Sequence, residues 1–392
     1  MQKLFFVKLL VILFSLNISY TAAAQTLSPA AKISLLTCGS GEELYSTFGH
    51  SAIRVCDTAQ NFDIVFNYGT FDFSDPNFYS NFVRGKLNYM LSVQQFNHFI
   101  SEYMLDERWV YEQTFNLTQE QKQALFNFLV QNSQPENRYY LYDFLFDNCS
   151  SRIRDVLLKV FPDQIVFPDR YDGVLEQYTF RDLLHSYLND SPWTKLGIDI
   201  LLGKRVDREA TPGEYMFLPD YLLAAFGRAT INQQPLVAES DYLLQTDQTT
   251  TGKKPLIVPL IAFIILLVLT IAAYVMHIPF KWIDFTIFFI VGLLGIFLLF
   301  MWFGTDHYVT KYNFNLLWAV PLHAIVAFFL LKKNRPRWTL WYFAANTLLC
   351  ILLLVLRNSL PQQLNNALVP VVCILGFRSY AIAKALFVRA IK

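Results

Sequence analysis

The sequence predicts an exported α+β domain followed by an all-α membrane domain of about five helices. Three observations carry that prediction. Residues 1–24 have the form of a secretory leader, the chain from Pro255 onward is almost continuously apolar, and the stretch between carries hairpin and capped-helix patterns. The composition, 54% hydrophobic and 16% charged, exceeds the apolar share of an ordinary soluble protein, and the excess sits at the two ends.

The leader has Lys3 and Lys8 as its positive start, Leu9 to Leu16 as its apolar stretch, and Ala22-Ala23-Ala24 before Gln25 as a small-residue cleavage site. The alternative, a spanning anchor, meets the objection that the apolar run is too short to cross a bilayer comfortably. Residues 25–244 then form the exported domain. Lys32–Cys38 is ambiguous between helix and strand and runs into the loop Gly39-Ser40-Gly41-Glu42-Glu43. Ser51–Val55 and Phe62–Tyr68 are rich in β-branched and aromatic residues around a turn-like 57–61, which predicts a hairpin. Ser92 with Gln95, and Thr118 with Gln121, have capping-box spacing and predict helices over 93–105 and 119–131. Asp147 or Asn148 caps a further helix reaching about Val160, with Ile153, Val156, Leu157 and Val160 at helical spacing.

The polar stretch Gln245–Lys254 is the expected linker, and residues 255–392 the membrane domain. Spans are expected near 256–276, 285–303, 314–331, 339–356 and 366–386, the last interrupted by Arg378. Lys332, Lys333, Arg335 and Arg337 fall in one expected inner segment, and Lys384, Arg389 and Lys392 in another. The outer loops carry only Lys311 and Arg357. The positive-inside rule therefore agrees with an outside N-terminal domain and a cytoplasmic C-terminus. In a bacterial cell this is a multi-pass inner-membrane protein with a periplasmic domain.

Net charge is +1 with no basic patch interleaved with aromatics, which argues against nucleic acid. No phosphate-binding loop, serine nucleophile elbow or zinc-ligand spacing is visible, so no metal and no cofactor are expected. The exported part holds three cysteines, Cys38, Cys56 and Cys149. An odd number outside the cytoplasm leaves a free thiol or an intermolecular partner. Cys38 and Cys56 flank the loop before His50 and could pair, which would leave Cys149.

A thiol at a helix start meets unpaired N–H groups and the positive end of the helix dipole, which favour the thiolate. The bland alternative for Cys149 is a buried structural cysteine. His50 follows Gly49, which permits an unusual backbone conformation, and opens a strand; a ring held there can face a neighbouring helix start. His98 and His185 lie in expected helices as surface or core residues. Cys149 and His50 are thus a candidate nucleophile and base. Asn67 on the next strand is the candidate group that orients the base, with Asp63 second and a strand-end turn residue as the bland reading. Tyr45 or backbone N–H groups near Cys149 are the candidate oxyanion donors, and Ser51, Asn148 and Arg152 are supporting candidates. Asp306 and His307, in an outer loop, could meet a headgroup or an incoming amine, or be ordinary solvated residues. His323 and Asn346 lie deeper, where helix packing explains them.

The segments Thr47-Phe48-Gly49-His50-Ser51-Ala52-Ile53-Arg54 and Asp147-Asn148-Cys149-Ser150-Ser151-Arg152 resemble the permuted NlpC/P60-type branch of the papain-like thiol fold, to which the lecithin:retinol acyltransferase relatives belong. With Thr37-Cys38-Gly39-Ser40-Gly41, the run Val65 to Phe71, Thr305 to Tyr308 and Asn313 to Trp318, the chain more closely resembles the lipoprotein N-acyltransferases of Bacteroides-type bacteria, over nearly its whole length. The resemblance implies a papain-like periplasmic domain and a cysteine acyltransferase. Its donor would be a phospholipid and its acceptor the α-amine of the S-diacylglyceryl cysteine of a lipoprotein. A membrane-anchored peptidoglycan cysteine peptidase or amidase, or a non-enzymatic membrane assembly factor, are the competing expectations.

Overall fold

The computed structural model describes residues 25–71, 76–86, 88–170, 177–246 and 255–391. The expected leader and residues 247–254 of the expected linker lie outside them. The N-terminal domain is built on one antiparallel sheet of seven strands. In chain order these are β1 (Lys32–Cys38), β2 (His50–Asp57), β3 (Phe62–Phe71), β4 (Asn88–Gln95), β5 (Val110–Phe115), β6 (Tyr139–Leu141) and, after the short strands β7 (Ile165–Val166), β8 (Thr230–Ile231) and β9 (Gln234–Pro235) of a separate sheet, β10 (Val237–Leu244). Their spatial order is β10-β5-β1-β2-β3-β4-β6. The ambiguous Lys32–Cys38 segment is thus a central strand. Ile33, Leu35 and Leu36 are all buried because both faces of β1 are covered.

The β2–β3 hairpin forms as expected, at 50–57 and 62–71. The helix expected over 93–105 is shorter. The Ser92 hydroxyl bonds across the sheet to Thr70 at 2.7 Å instead of capping a helix, so β4 continues to Gln95 and the helix α2 spans Phe96–Leu105. A seven-residue helix, α1 (Phe78–Arg84), precedes β4. Thr118 and Gln121 do form the capping box of α3 (Gln119–Asn132). At the start of α4 (Cys149–Val160) the cap is Asn148, while Asp147 pairs with Arg152. Helices α5 (Phe180–Tyr187), α6 (Pro192–Leu201), α7 (Pro212–Tyr215) and α8 (Pro219–Arg228) complete the domain. Alternating strand residues divide its core. Ile53, Val55, Phe66 and Tyr68 pack with α3, α4 and α8, whereas Leu36, Cys38, Ala52 and Val65 pack with Phe99 and Tyr103 of α2.

The C-terminal half is all helical: α9 (Pro259–Val275), α10 (Lys281–Phe303), α11 (Leu322–Leu330), α12 (Trp338–Leu356) and α13 (Val369–Ile391). Among the described residues, four helical segments are long and apolar enough to cross a membrane, and α9 is a shorter fifth of 17 residues. The third span is not one α-helix. Tyr308–Leu330 contains two 3-10 turns, at Tyr308–Thr310 and Phe314–Leu317, before α11 begins after Pro321. Pro321 removes a backbone donor, and the Asn313 side chain accepts from the Asn315 N–H in place of a helical carbonyl. Arg378, which interrupts the last span in sequence, is neutralised in the bundle by Asp284 at 2.7 and 2.8 Å and lies over the Phe280 ring. His323 meets Tyr342 and Asn346 meets Ser379, so both serve helix packing.

A polar seam joins the halves. Arg181 is fully buried and donates to Asp199 and Asp207, both at 2.7 Å. Asn365 donates to the other oxygen of Asp199 at 2.8 Å. Asn313, Asn315 and Gln362, all from the membrane half, donate to the carbonyls of 199–202 that α6 leaves unpaired at its C-terminus.

Candidate active site

Gly49 fixes where β2 begins. Its φ of +75° is left-handed, and a Cβ there would come within 2.8 Å of the Cys38 carbonyl oxygen. Only glycine fits both conditions, so the chain turns sharply and His50 is delivered at the first strand position, opposite Cys38. The β2–β3 register pairs Ile53 with Phe66. One step further along that ladder Ala52 faces Asn67, which puts Asn67 on the same face as His50, a diagonal neighbour. The consequence is a 2.6 Å hydrogen bond between His50 Nε2 and Asn67 Oδ1. An amide oxygen only accepts, so Nε2 is the protonated nitrogen and Nδ1 is left to serve a second partner.

That partner is Cys149, which lies beside the His50 ring, each group raising the charged form of the other. Asn148 places it. The Asn148 Oδ1 accepts from the Ser150 and Ser151 N–H groups, its Nδ2 donates to the Phe144 and Phe217 carbonyls, and Ser151 Oγ returns a bond to the Asn148 N–H. Every polar atom of the cap is engaged, which anchors the first turn of α4 to the core. Cys149 is the first residue of that turn. On the opposite side Gly69 has φ +85° at a register break in the β3–β4 ladder, a conformation that favours glycine, and the Cys149 Cβ lies at ordinary contact distance, 3.5 Å from where a Gly69 Cβ would stand.

The electrostatics favour an ion pair. Burial pushes the Cys149 thiol up, but the His50 ring, the Ser51 backbone N–H and the Ser150 hydroxyl outweigh it and leave the pKa below the ordinary thiol value. Burial likewise pushes His50 down, but the Cys149 charge and the Asn67 bond outweigh it and leave His50 raised. Each group supports the charged form of the other. Ser150 Oγ lies 3.9 Å from Sγ and is itself held by Ser51 Oγ at 2.9 Å. A thiol and an imidazole that favour one another's charged forms, beside a backbone N–H, are parts that a nucleophilic acyl transfer can use.

The remaining candidates lie elsewhere. Asp63 is engaged by Arg54 at 2.6 and 2.8 Å, and so does not orient His50. Tyr45 is 76% exposed on the loop before β2, with no buried setting to aim its hydroxyl at an oxyanion. Arg152 pairs with Asp147 and lies 3.8 Å over the Tyr140 ring, a structural position. The Asp306 N–H donates to the Arg84 carbonyl and His307 Nε2 bonds the Phe82 carbonyl at 3.0 Å, so this loop docks on α1. The Cys38–Cys56 pairing is contradicted. Cys38 stands opposite His50 and Cys56 opposite Lys32, at opposite ends of one ladder and roughly 20 Å apart at ~3.3 Å per residue, far beyond disulfide reach; both thiols are free. Ser150 and Gly69 were not singled out from sequence, although a glycine inside a strand pattern signals a bulge or a close approach. Among the described residues no group of three or more His, Cys, Asp or Glu side chains could hold a metal ion.

Comparison with known proteins adds two matches. Residues 20–186 match the family described as the Lnb N-terminal periplasmic domain, and residues 246–387 match that described as the Lnb transmembrane domain. No curated protein and no solved structure matches the chain.

Proposed function

The chain is an Lnb-type two-domain protein, with a periplasmic N-terminal domain and a membrane-spanning C-terminal domain, and we propose that it is a lipoprotein N-acyltransferase. The observation that carries this reading is the Cys149–His50–Asn67 constellation, an activated thiol in a domain docked directly on the membrane half.

The Cys149 thiolate attacks the carbonyl carbon of a phospholipid ester. The tetrahedral intermediate collapses with cleavage of the ester C–O bond, and the imidazolium of His50 gives its Nδ1 proton to the departing lysophospholipid oxygen. A thioester remains on Cys149. The α-amine of a diacylglyceryl lipoprotein cysteine then attacks the thioester, and neutral His50 accepts the amine proton. The C–S bond breaks, the thiolate returns beside the imidazolium, and the amide product leaves. Asn67 keeps the ring in the tautomer that both steps need. The Ser51 N–H, already directed at the thiolate, is the nearest donor for charge at the reacting centre. The proposed placement is the bacterial inner membrane with the C-terminus cytoplasmic.

The test is mass spectrometry of lipoprotein N-terminal peptides from a strain lacking its own N-acyltransferase. Expression of the intact chain is expected to add a third acyl chain, and expression of Cys149→Ala is not. If the intact chain adds none, acyl transfer to lipoproteins is the wrong reaction. In the absence of acceptor, intact-mass analysis is expected to find one acyl group on Cys149.

A further inference from the structure

A cavity of about 980 Å³ lies in the seam between the two halves, and none of His50, Asn67 and Cys149 lines it. One side comes from α5 and α6, through Asp182, His185 and Lys195. The other comes from the outer ends of three membrane helices: residues 258–260 at the start of α9, Arg357 just after α12, and residues 360–367 leading into α13. The volume suits a small organic ligand. Its position is the outer surface of the bilayer. Leu260 and Ile261, on the first turn of the apolar α9, are 39% and 50% exposed. Beside them Trp193 of α6 donates its indole N–H to the Ile257 carbonyl at 2.9 Å, with its ring edge-on to Phe263 at 6.0 Å. Tryptophan at such a junction is a membrane-surface anchor.

The charges lining the cavity balance in number, Asp182, Asp199 and Asp207 against Arg181, Lys195 and Arg357, but they are not all paired. Arg181 takes both Asp199 and Asp207. Among the described residues Lys195 reaches only the Asn189 amide oxygen, at 3.3 Å, and Arg357 only the amide oxygens of Asn358 and Asn366. Asp182 accepts side-chain bonds only from Thr179, its capping partner. Two half-buried cations and one half-buried carboxylate are thus left without an opposite charge. All three surround Asp199. Lys195 stands one turn before it on α6. Asn365 donates to it at 2.8 Å, and the next residue, Asn366, accepts from Arg357. His185, one turn after Asp182 on α5, donates to it at 2.8 Å. Arg357 is also one of only two cations in the expected outer loops.

We propose that this cavity holds the headgroup of a zwitterionic phospholipid of the outer leaflet, its phosphate on Lys195 and Arg357 and its ammonium on Asp182. A phosphate offers both the charge and the acceptor oxygens that two cations lacking carboxylates can share. The ammonium answers Asp182, and a headgroup with no net charge leaves the balance of the cavity unchanged. Leu260 and Leu364 border it with apolar surface for the glycerol and the first chain carbons. A lipid seated here touches both halves and so stabilises their docking. The site is separate from the thiol and needs no acyl transfer.

The experiment uses the full-length protein in nanodiscs of equal parts phosphatidylethanolamine and phosphatidylglycerol, with benzoylphenylalanine in place of the exposed Gln363 that lines the cavity. Lipid adducts are identified by mass after irradiation, and the same probe at Thr58, in the β2–β3 turn, gives the background. The phosphatidylethanolamine adduct is expected to exceed the phosphatidylglycerol adduct by at least about threefold. Lys195→Gln with Arg357→Gln is expected to lower the adduct about tenfold. Asp182→Asn, which keeps an acceptor for Thr179, is expected to bring the two lipids to equal yield. Thermal unfolding checks the fold of each variant. Excess inorganic phosphate should leave the adduct unchanged; its loss would assign the cations to free phosphate and overturn the lipid reading. Labelling at 363 no higher than at 58 overturns the proposal, as does equal yield of the two lipids with all three charged groups in place. Acyl-Cys149 is not part of the readout, so either reading can fail without the other.

Discussion

Two thiols flank one imidazole in this protein, and they are driven in opposite directions. Cys38 ends β1 directly opposite His50 and is completely buried; Cys149 begins α4 and is half-buried. Burial pushes Cys38 up to about 12, against weaker opposition from its Tyr103 bond and from Arg108. Burial also acts on Cys149, but there the His50 ring, the Ser51 N–H and the Ser150 hydroxyl reverse it. The difference is not distance from His50 along the sheet. It is that the His50 ring, held by Asn67, lowers the Cys149 thiol and does not act on Cys38. Burial by itself makes a thiol inert, and burial beside an oriented cation makes it a nucleophile.

The sharpest way to break the comparison is to remove each thiol in turn. Cys149→Ala is expected to lower lipoprotein N-acylation by at least about 10³-fold, since it removes the proposed nucleophile of the first step and with it the thioester that the second step consumes. Replacing the base comes next. His50→Gln is expected to slow acylation by ~10²–10⁴-fold and to move the pH midpoint of Cys149 alkylation by iodoacetamide upward, because burial is then opposed only by the Ser51 N–H and the Ser150 hydroxyl. In the unaltered protein that midpoint is expected below the ordinary value. Alkylation falls as pH drops through the lowered Cys149 pKa, and the ion pair is lost as pH rises through the raised His50 pKa. A midpoint unchanged by His50→Gln would sink the ion pair.

Asn67→Ala should cost less, about 10–100-fold, because the ring remains but loses its fixed orientation. The telling readout is the His50 titration followed by NMR, which should move down when the Asn67 bond that raises it is removed. A rate loss without that movement would point to sheet damage. Smallest of all, Cys38→Ala should leave N-acylation within about threefold of the parent and cost on the order of 1–2 kcal/mol of stability from lost packing, read from thermal or denaturant unfolding. If Cys38→Ala silenced the enzyme while Cys149→Ala did not, the roles of the two thiols would be reversed.

Several features were legible because their causes are local. The capping box at Thr118 needs only the four residues that make it, and Asn148 caps α4 with its own neighbours. Ser92 and Gln95 have the same spacing and mislead, because Ser92 finds a better partner in Thr70, a residue 22 positions away. Arg378 argued against a span only while Asp284, 94 positions earlier, was not known to face it. The unbroken third span expected from hydropathy gives way to turns where Asn313 and Asn315 satisfy the carbonyls at the end of α6.

The sequence by itself determined that a glycine precedes His50, that an asparagine precedes Cys149, and that an apolar half follows a mixed one. These depend on backbone conformation, capping and hydropathy, which act over a few residues or over composition. Only the tertiary structure decided which thiol His50 serves, that Cys38 and Cys56 stand at opposite ends of a ladder, and that α1 meets the loop at Asp306. Each of those depends on strand register or on contacts between distant segments, and neither is written in local spacing.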